Sequence, residues 1–216
     1  MFWALKGATL MPWRASQRQI PAVSTDLPAS DVVPATRSDP RIPPVCGKMA
    51  GMHIERRLAD LGLELPEPMT LPAGPSGTPG LELPFPWVRL WPGRAFVSGH
   101  GPLRPDGSLW AVLGKVGAEV TEEQAYDAAR ATALAMLASL RRALGDLDRV
   151  TGWLRVFGMV NTAPGFARTP AVINGFSDLI LELWGPDAGA HARSAIGVAA
   201  LPFGIPVEIE AEVAVD

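Results

Sequence analysis

The most regular apolar–polar pattern lies near the C-terminal end of the chain. From Pro206 onward, Val207, Ile209, Ala211 and Val213 alternate with Glu208, Glu210 and Glu212, the period of a strand with one buried face. Before it, His191–Pro202 reads as a second strand of small and apolar residues with one cation, Arg193, at its start. Leu201-Pro202-Phe203-Gly204 has turn chemistry, so the two are expected as neighbouring strands, with the arginine and the carboxylates on related faces.

Upstream, the period changes. Thr121-Glu-Glu-Gln124 is a capping box opening a helix over about 122–144, with an alanine-rich face through Ala125, Ala129, Thr132, Met136, Leu140 and Leu144 and a stop at Gly145. A second helix fits about 168–184, ended by Gly185-Pro186, and Ile54–Leu61 carries apolar residues one helical face apart. Strands are expected at Trp87–Leu90, Ala95–Ser98 and Trp153–Val160, with a short one at Leu109–Val112. The order β-β-(β)-α-β-α-β-β predicts an α+β fold, a mixed sheet with both helices on one face. The other face then exposes apolar residues unless copies associate.

Residues 1–51 keep no apolar period, contain seven prolines and lack a secretory signal; residues 64–86, with seven more, read as an extended connector. The first segment is expected to be a disordered extension or a mis-assigned start, with translation beginning at Met49 or Met52; a targeting tail is the alternative. Residues 52–216 are expected to form a single domain.

Charge and cysteine content narrow the function classes. The net charge is −3, and residues 52–216 hold thirteen Lys/Arg against nineteen Asp/Glu, so there is no electrostatic case for nucleic acid. No run of eighteen apolar residues suggests a membrane span. The lone Cys46 precludes an intrachain disulfide, and three scattered histidines make no zinc spacing; a cytoplasmic protein without metal is the expectation.

Arg193 is the leading candidate for chemistry, because its fork of donors matches a carboxylate in two parallel bonds. The plainer reading is a salt bridge to a glutamate or a partner chain. Glu208 is the second, able to orient or deprotonate water beside an anion, although strand alternation alone accounts for all three glutamates. Ser98-Gly99-His100-Gly101 closes a strand with glycines that permit close backbone approach to a ligand, or simply a tight turn. His100 reads first as a hydrogen-bonded turn residue. Trp87, Trp91 and Trp110 are candidates for a pocket wall, with core packing the simpler role.

Several motifs in order, Phe96-Val-Ser-Gly99, Gly114-Lys-Val-Gly117, Gly145-Asp-Leu-Asp-Arg-Val150, Asn161-Thr-Ala-Pro164, Val172-Ile-Asn-Gly175, His191-Ala-Arg-Ser194 and Val207-Glu-Ile-Glu-Ala211, resemble the YjgF/RidA family. The resemblance is to its longer YjgF-like branch, formerly "endoribonuclease L-PSP", and runs from about Ile54 to Val215. It implies a chorismate-mutase-like fold and a homotrimer, sheets facing inward, with clefts between subunits. It further implies cofactor-free hydrolysis of enamines and imines such as 2-aminoacrylate to a 2-keto acid and ammonia. By position, Arg193 matches the carboxylate-binding arginine, Glu208 the pocket glutamate, and Ser98 and Gly99 the loop bordering the ligand. Ala195 stands where deaminating members often have cysteine, its backbone being the expected contribution. His100 replaces a common Gln, and the pocket tyrosine has no clear counterpart, Phe85 and Trp87 being nearest. Two readings stay open at this point, a deaminase and a non-enzymatic binder of a small carboxylate metabolite. Ribonuclease activity is disfavoured by the acidic body.

Overall fold

The computed structural model describes residues 54–69 and 83–216; the expected extension over 1–51 and much of the connector lie outside them. Among these residues three α-helices, α1 (Ile54–Asp60), α2 (Glu122–Leu144) and α3 (Thr169–Ala188), accompany five strands. These are β1 (Val88–Trp91), β2 (Arg94–His100), β3 (Val150–Asn161), β4 (Ala192–Val198) and β5 (Val207–Val215). They form one mixed sheet in the order β1-β2-β5-β3-β4, antiparallel except for the parallel pair of β3 and β4.

The α2 helix begins as its sequence dictates. Thr121 Oγ1 accepts from Gln124 N at 3.1 Å, and Gln124 Oε1 accepts from Thr121 N at 3.0 Å, satisfying two otherwise orphaned amides. Gly145 caps the other end in the left-handed conformation, donating to Arg141 O. The α2 alanines 125, 128, 129 and 133 are fully buried, which lets the helix lie close on β1, β2 and β5 and beside α3. α3 covers β3 and β4, so both long helices share one face of the sheet, as expected. The third helix, α1, packs beside α3, where Arg57 Nη1 donates to Leu183 O at 2.5 Å. Trp153 stands edge-on to Phe176 and Trp184 at the bottom of this core, with centroids 5.6 and 5.5 Å away. No helix among the described residues is long and apolar enough to cross a membrane.

The regular run of α3 ends at Gly185, as expected, where φ is 76°, and a separate turn continues to Ala188. Two expectations need correction. Leu109–Val112 is not a strand; Leu109 makes only an isolated bridge to Leu103. Most importantly, β4 and β5 are not neighbours. β3 lies between them, paired to β4 on one side and β5 on the other, and Pro202–Gly204 is a 3-10 turn within the crossover. Sequence adjacency had suggested a hairpin. The twelve-residue β3, with Val156 and Val160 fully buried, takes the interior position and leaves β4 at the edge because it offers more apolar surface than β4, whose residues are all at least partly exposed.

Candidate functional site

The pleat decides which predicted site residues share a face. On β5, Ile209, Ala211 and Val213 enter the core beneath the helices, so Glu208, Glu210 and Glu212 project from the opposite face. On β4 the register runs from Arg193 to Val156 to Ala211, which places Arg193 on the helix face. Arg193 and Glu208 are therefore on opposite faces, on strands two spacings apart, about 10 Å. The expectation of related faces fails because an intervening strand and the pleat together separate them. In one chain, no small ligand reaches both.

The Glu208 side chain lies over Gly99. Val97 pairs with Ala211 and His100 with Ile209, so β2 carries one extra residue here, a bulge at Ser98-Gly99. A Cβ on Gly99 would overlap the Glu208 carboxylate. The glycine thus makes room for a side chain of its own chain, and that side chain is the candidate acid–base group. Ser98 Oγ donates to Pro86 O at 3.0 Å. Glu208 is half-buried and has no hydrogen-bond partner among the described residues; burial first, then the neighbouring Glu210, raises its pKa above the usual carboxylate range. Glu212, by contrast, is paired to Arg94 at 2.5 Å. Beside these residues the outer face holds a shallow concavity of 310 Å³ lined by Arg89, Phe96, Ser98, Arg155, Phe157 and Glu210, among others.

The bulge is braced from the core. His100, buried rather than in a surface turn, donates from Nδ1 to Ser98 O at 2.6 Å, and its Nε2 meets Ser139 Oγ at 2.8 Å. Burial takes its pKa down to about 4, so it is neutral near pH 7. The Trp87 ring lies against it, centroids 4.8 Å apart. Trp91 is exposed and lines neither this concavity nor the smaller one beside His100 and Ser139.

Arg193 sits on the edge strand. Its Nη1 donates to Asn174 Oδ1 at 3.0 Å and to Ser177 Oγ at 2.9 Å, and Nη2 donates to Pro170 O at 3.4 Å, all from α3. Nε–H and the second Nη2 hydrogen have no partner among the described residues, so part of the donor fork remains available. Ala195, two residues on, is on the same face; its carbonyl accepts from Thr169 Oγ1 at 3.0 Å. The candidate residues thus fall into two separate groups, Glu208 with the Ser98-Gly99 bulge of β2 on one face and Arg193 with Ala195 on the other, each a candidate half-site. The supporting Ser139 and Ser177 were not singled out from the sequence; their only signal is a hydroxyl at a buried position of an otherwise apolar helix face.

A family model described as "YjgF/chorismate_mutase-like, putative endoribonuclease" matches residues 86–206, and the five-stranded sheet with its helices is consistent with that fold. The chain belongs to the YjgF/RidA family. Protein TCP17 of Trypanosoma cruzi is 44% identical over 115 residues, 53% of this chain and 71% of that relative. The crystal structure of Atu1372 from Agrobacterium tumefaciens, a protein of unknown function, is 35% identical, with a TM-score of 0.64 over 76% of this chain and 92% of that one. A protein of Shewanella oneidensis MR-1 that carries the same endoribonuclease description is 28% identical, with a TM-score of 0.65 over 75% of this chain and 99% of that one.

Proposed function

We propose that this YjgF/RidA protein hydrolyses small enamines and imines bearing a carboxylate, in clefts between the subunits of a homotrimer. The observation that carries the reading is the separation of the half-sites. Glu208 and Arg193 each retain unused hydrogen-bonding capacity, yet they stand on opposite faces of one sheet. A ligand touching both would bridge two copies, and the outer face, with Phe96 and Ile196 more than 40% exposed, gives those copies apolar surface to bury.

In such a cleft the free fork of Arg193 holds the substrate carboxylate. A half-buried carboxylate with a raised pKa is suited to proton transfer near neutral pH. Glu208 takes a proton from water as the water oxygen bonds to the imine carbon. The carbon–nitrogen bond then breaks, both water protons end on nitrogen, and the iminium and water become a 2-keto acid and ammonium. An imine is already electrophilic, so no protein nucleophile is needed. Generating 2-iminobutyrate with threonine dehydratase in the presence of semicarbazide tests this. Wild type is expected to speed keto-acid release and Arg193→Ala to lose the effect. A folded protein that gives no acceleration would reject turnover of small aliphatic imines. Carboxylate-dependent thermal stabilisation would then favour a binding role for the same arginine.

A further inference from the structure

Arg193 is held by more than its direct partners. Ser177 Oγ, which accepts from Arg193 Nη1 at 2.9 Å, also meets His191 Nε2 at 2.9 Å. His191 Nδ1 in turn lies 2.7 Å from Gly189 O. Since a carbonyl only accepts, Nδ1 carries the proton, Nε2 is an acceptor, and the Ser177 hydroxyl must donate to it. That fixes the hydroxyl rotor and leaves the Ser177 lone pairs directed at the guanidinium. His191, the residue just before β4, and Arg193 are two residues apart and both meet the α3 serine seated between them.

A second copy of this arrangement serves the other half-site. His100 reaches back to the carbonyl two residues earlier, meets Ser139 Oγ, and Arg142 Nη2 donates to that hydroxyl at 3.0 Å. Neither serine is an open nucleophile, since Ser177 is 8% exposed and Ser139 5%.

We propose that His191 is a positioning residue for Arg193, acting through Ser177 to aim the free edge of the guanidinium at the ligand carboxylate. The proposal rests on the reading of Arg193 as a carboxylate clamp. Its geometry also makes a pH prediction. Protonated, His191 would present N–H at Nε2, the Ser177 hydrogen would lose its acceptor, and a second cation would stand beside Arg193. The charged group acting on it is Arg193, whose own charge is favoured by Asp178 of α3, the acceptor of the Tyr126 hydroxyl of α2. Burial holds the His191 pKa below its usual value, so the relay is intact at pH 7 and weakens in acid.

The test compares wild type, His191→Leu, Ser177→Ala and His191→Gln, whose amide oxygen can replace Nε2 as acceptor. Two readouts are taken on the full chain. The first is ligand-free, the guanidinium NMR signals of Arg193. Distinct, slowly exchanging Nη signals in wild type and His191→Gln, averaged in His191→Leu and Ser177→Ala, are expected. Identical signals in all four would overturn the proposal whether or not any ligand binds. The second uses 2-ketobutyrate binding and 2-iminobutyrate turnover. The relay predicts about tenfold weaker Kd and higher KM in the Leu and Ala variants, the worth of one charge-assisted hydrogen bond, with kcat unchanged and Gln restoring the wild-type value. A fall in kcat at constant KM, or no rescue by Gln in a normally folded variant, would overturn it. Restricted Arg193 signals in a wild type that neither binds nor turns over these probes would instead reject the carboxylate-clamp reading.

Discussion

Gly99→Ala separates the role of the β2 bulge in holding the fold from its role in placing Glu208. The built Cβ would overlap the carboxylate and lie 3.0 Å from Glu208 Cδ and 3.2 Å from Cγ. The three nearest atoms all belong to this one flexible side chain, and Gly99 does not adopt a positive φ, so alanine adds no backbone strain. The carboxylate yields by turning out of its rotamer, at a cost of about 0.5–1.5 kcal/mol. An ordinary C···O contact is about 3.3 Å, so the displacement is on the order of 1 Å, enough to cost about 100-fold in a positioned reaction. Urea unfolding should then show a loss of no more than about 1.5 kcal/mol, while 2-iminobutyrate turnover falls about 100-fold. Turnover within threefold of wild type would refute the placement of Glu208 in the chemistry. Gross destabilisation would refute the claim that only a side chain fills that space.

Other substitutions test neighbouring steps. Glu208→Gln should abolish turnover yet raise Tm at pH 7, because it removes a carboxylate whose burial favours the protonated form. The folded pKa lies above the unfolded one, so the penalty is present once pH exceeds it, and the Tm difference should vanish as pH falls below 4.5. By the same shift, wild-type kcat/KM should fall with acidity through a pKa above 4.5, a limb absent from the non-enzymatic reaction. Arg193→Lys keeps the charge but loses the fork, and should raise KM about tenfold or more. Gly175→Ala places a Cβ 2.9 Å from the Tyr126 backbone carbonyl carbon, where nothing can rotate aside. The α2–α3 crossing must open, so stability should fall by about 1–3 kcal/mol in urea unfolding, whereas helix propensity alone would raise it by about 1 kcal/mol.

Local signals were legible in the chain, and strand order was not. The Thr121–Gln124 box, the Gly145 cap, the alanine face of α2 and the Val207–Val213 alternation all formed as read, because each is decided within a few residues. Placing β3 between β4 and β5 depends on which strand buries more apolar surface against α2 and α3, a property of the assembled sheet. Misjudging it put Arg193 on the face of Glu208. A second clue lay in α3, where Asn174 and Ser177, one turn apart, offered a cation two acceptors on the helix face. His100 shows the reverse: a ring in a glycine-rich segment suggested a turn, but the extra residue of the bulge rotates it into the core.

The central claim is that each site draws Arg193 from one copy and Glu208 from another. Differently tagged Arg193→Ala and Glu208→Gln chains, each inactive alone, can be co-expressed, purified through both tags and assayed for 2-iminobutyrate hydrolysis. In randomly mixed closed rings about one interface in four receives both intact residues, so unselected mixtures should regain about a quarter of wild-type activity, and rings carrying both tags about a third. Mixed assemblies as inactive as their parents would contradict a site shared between subunits.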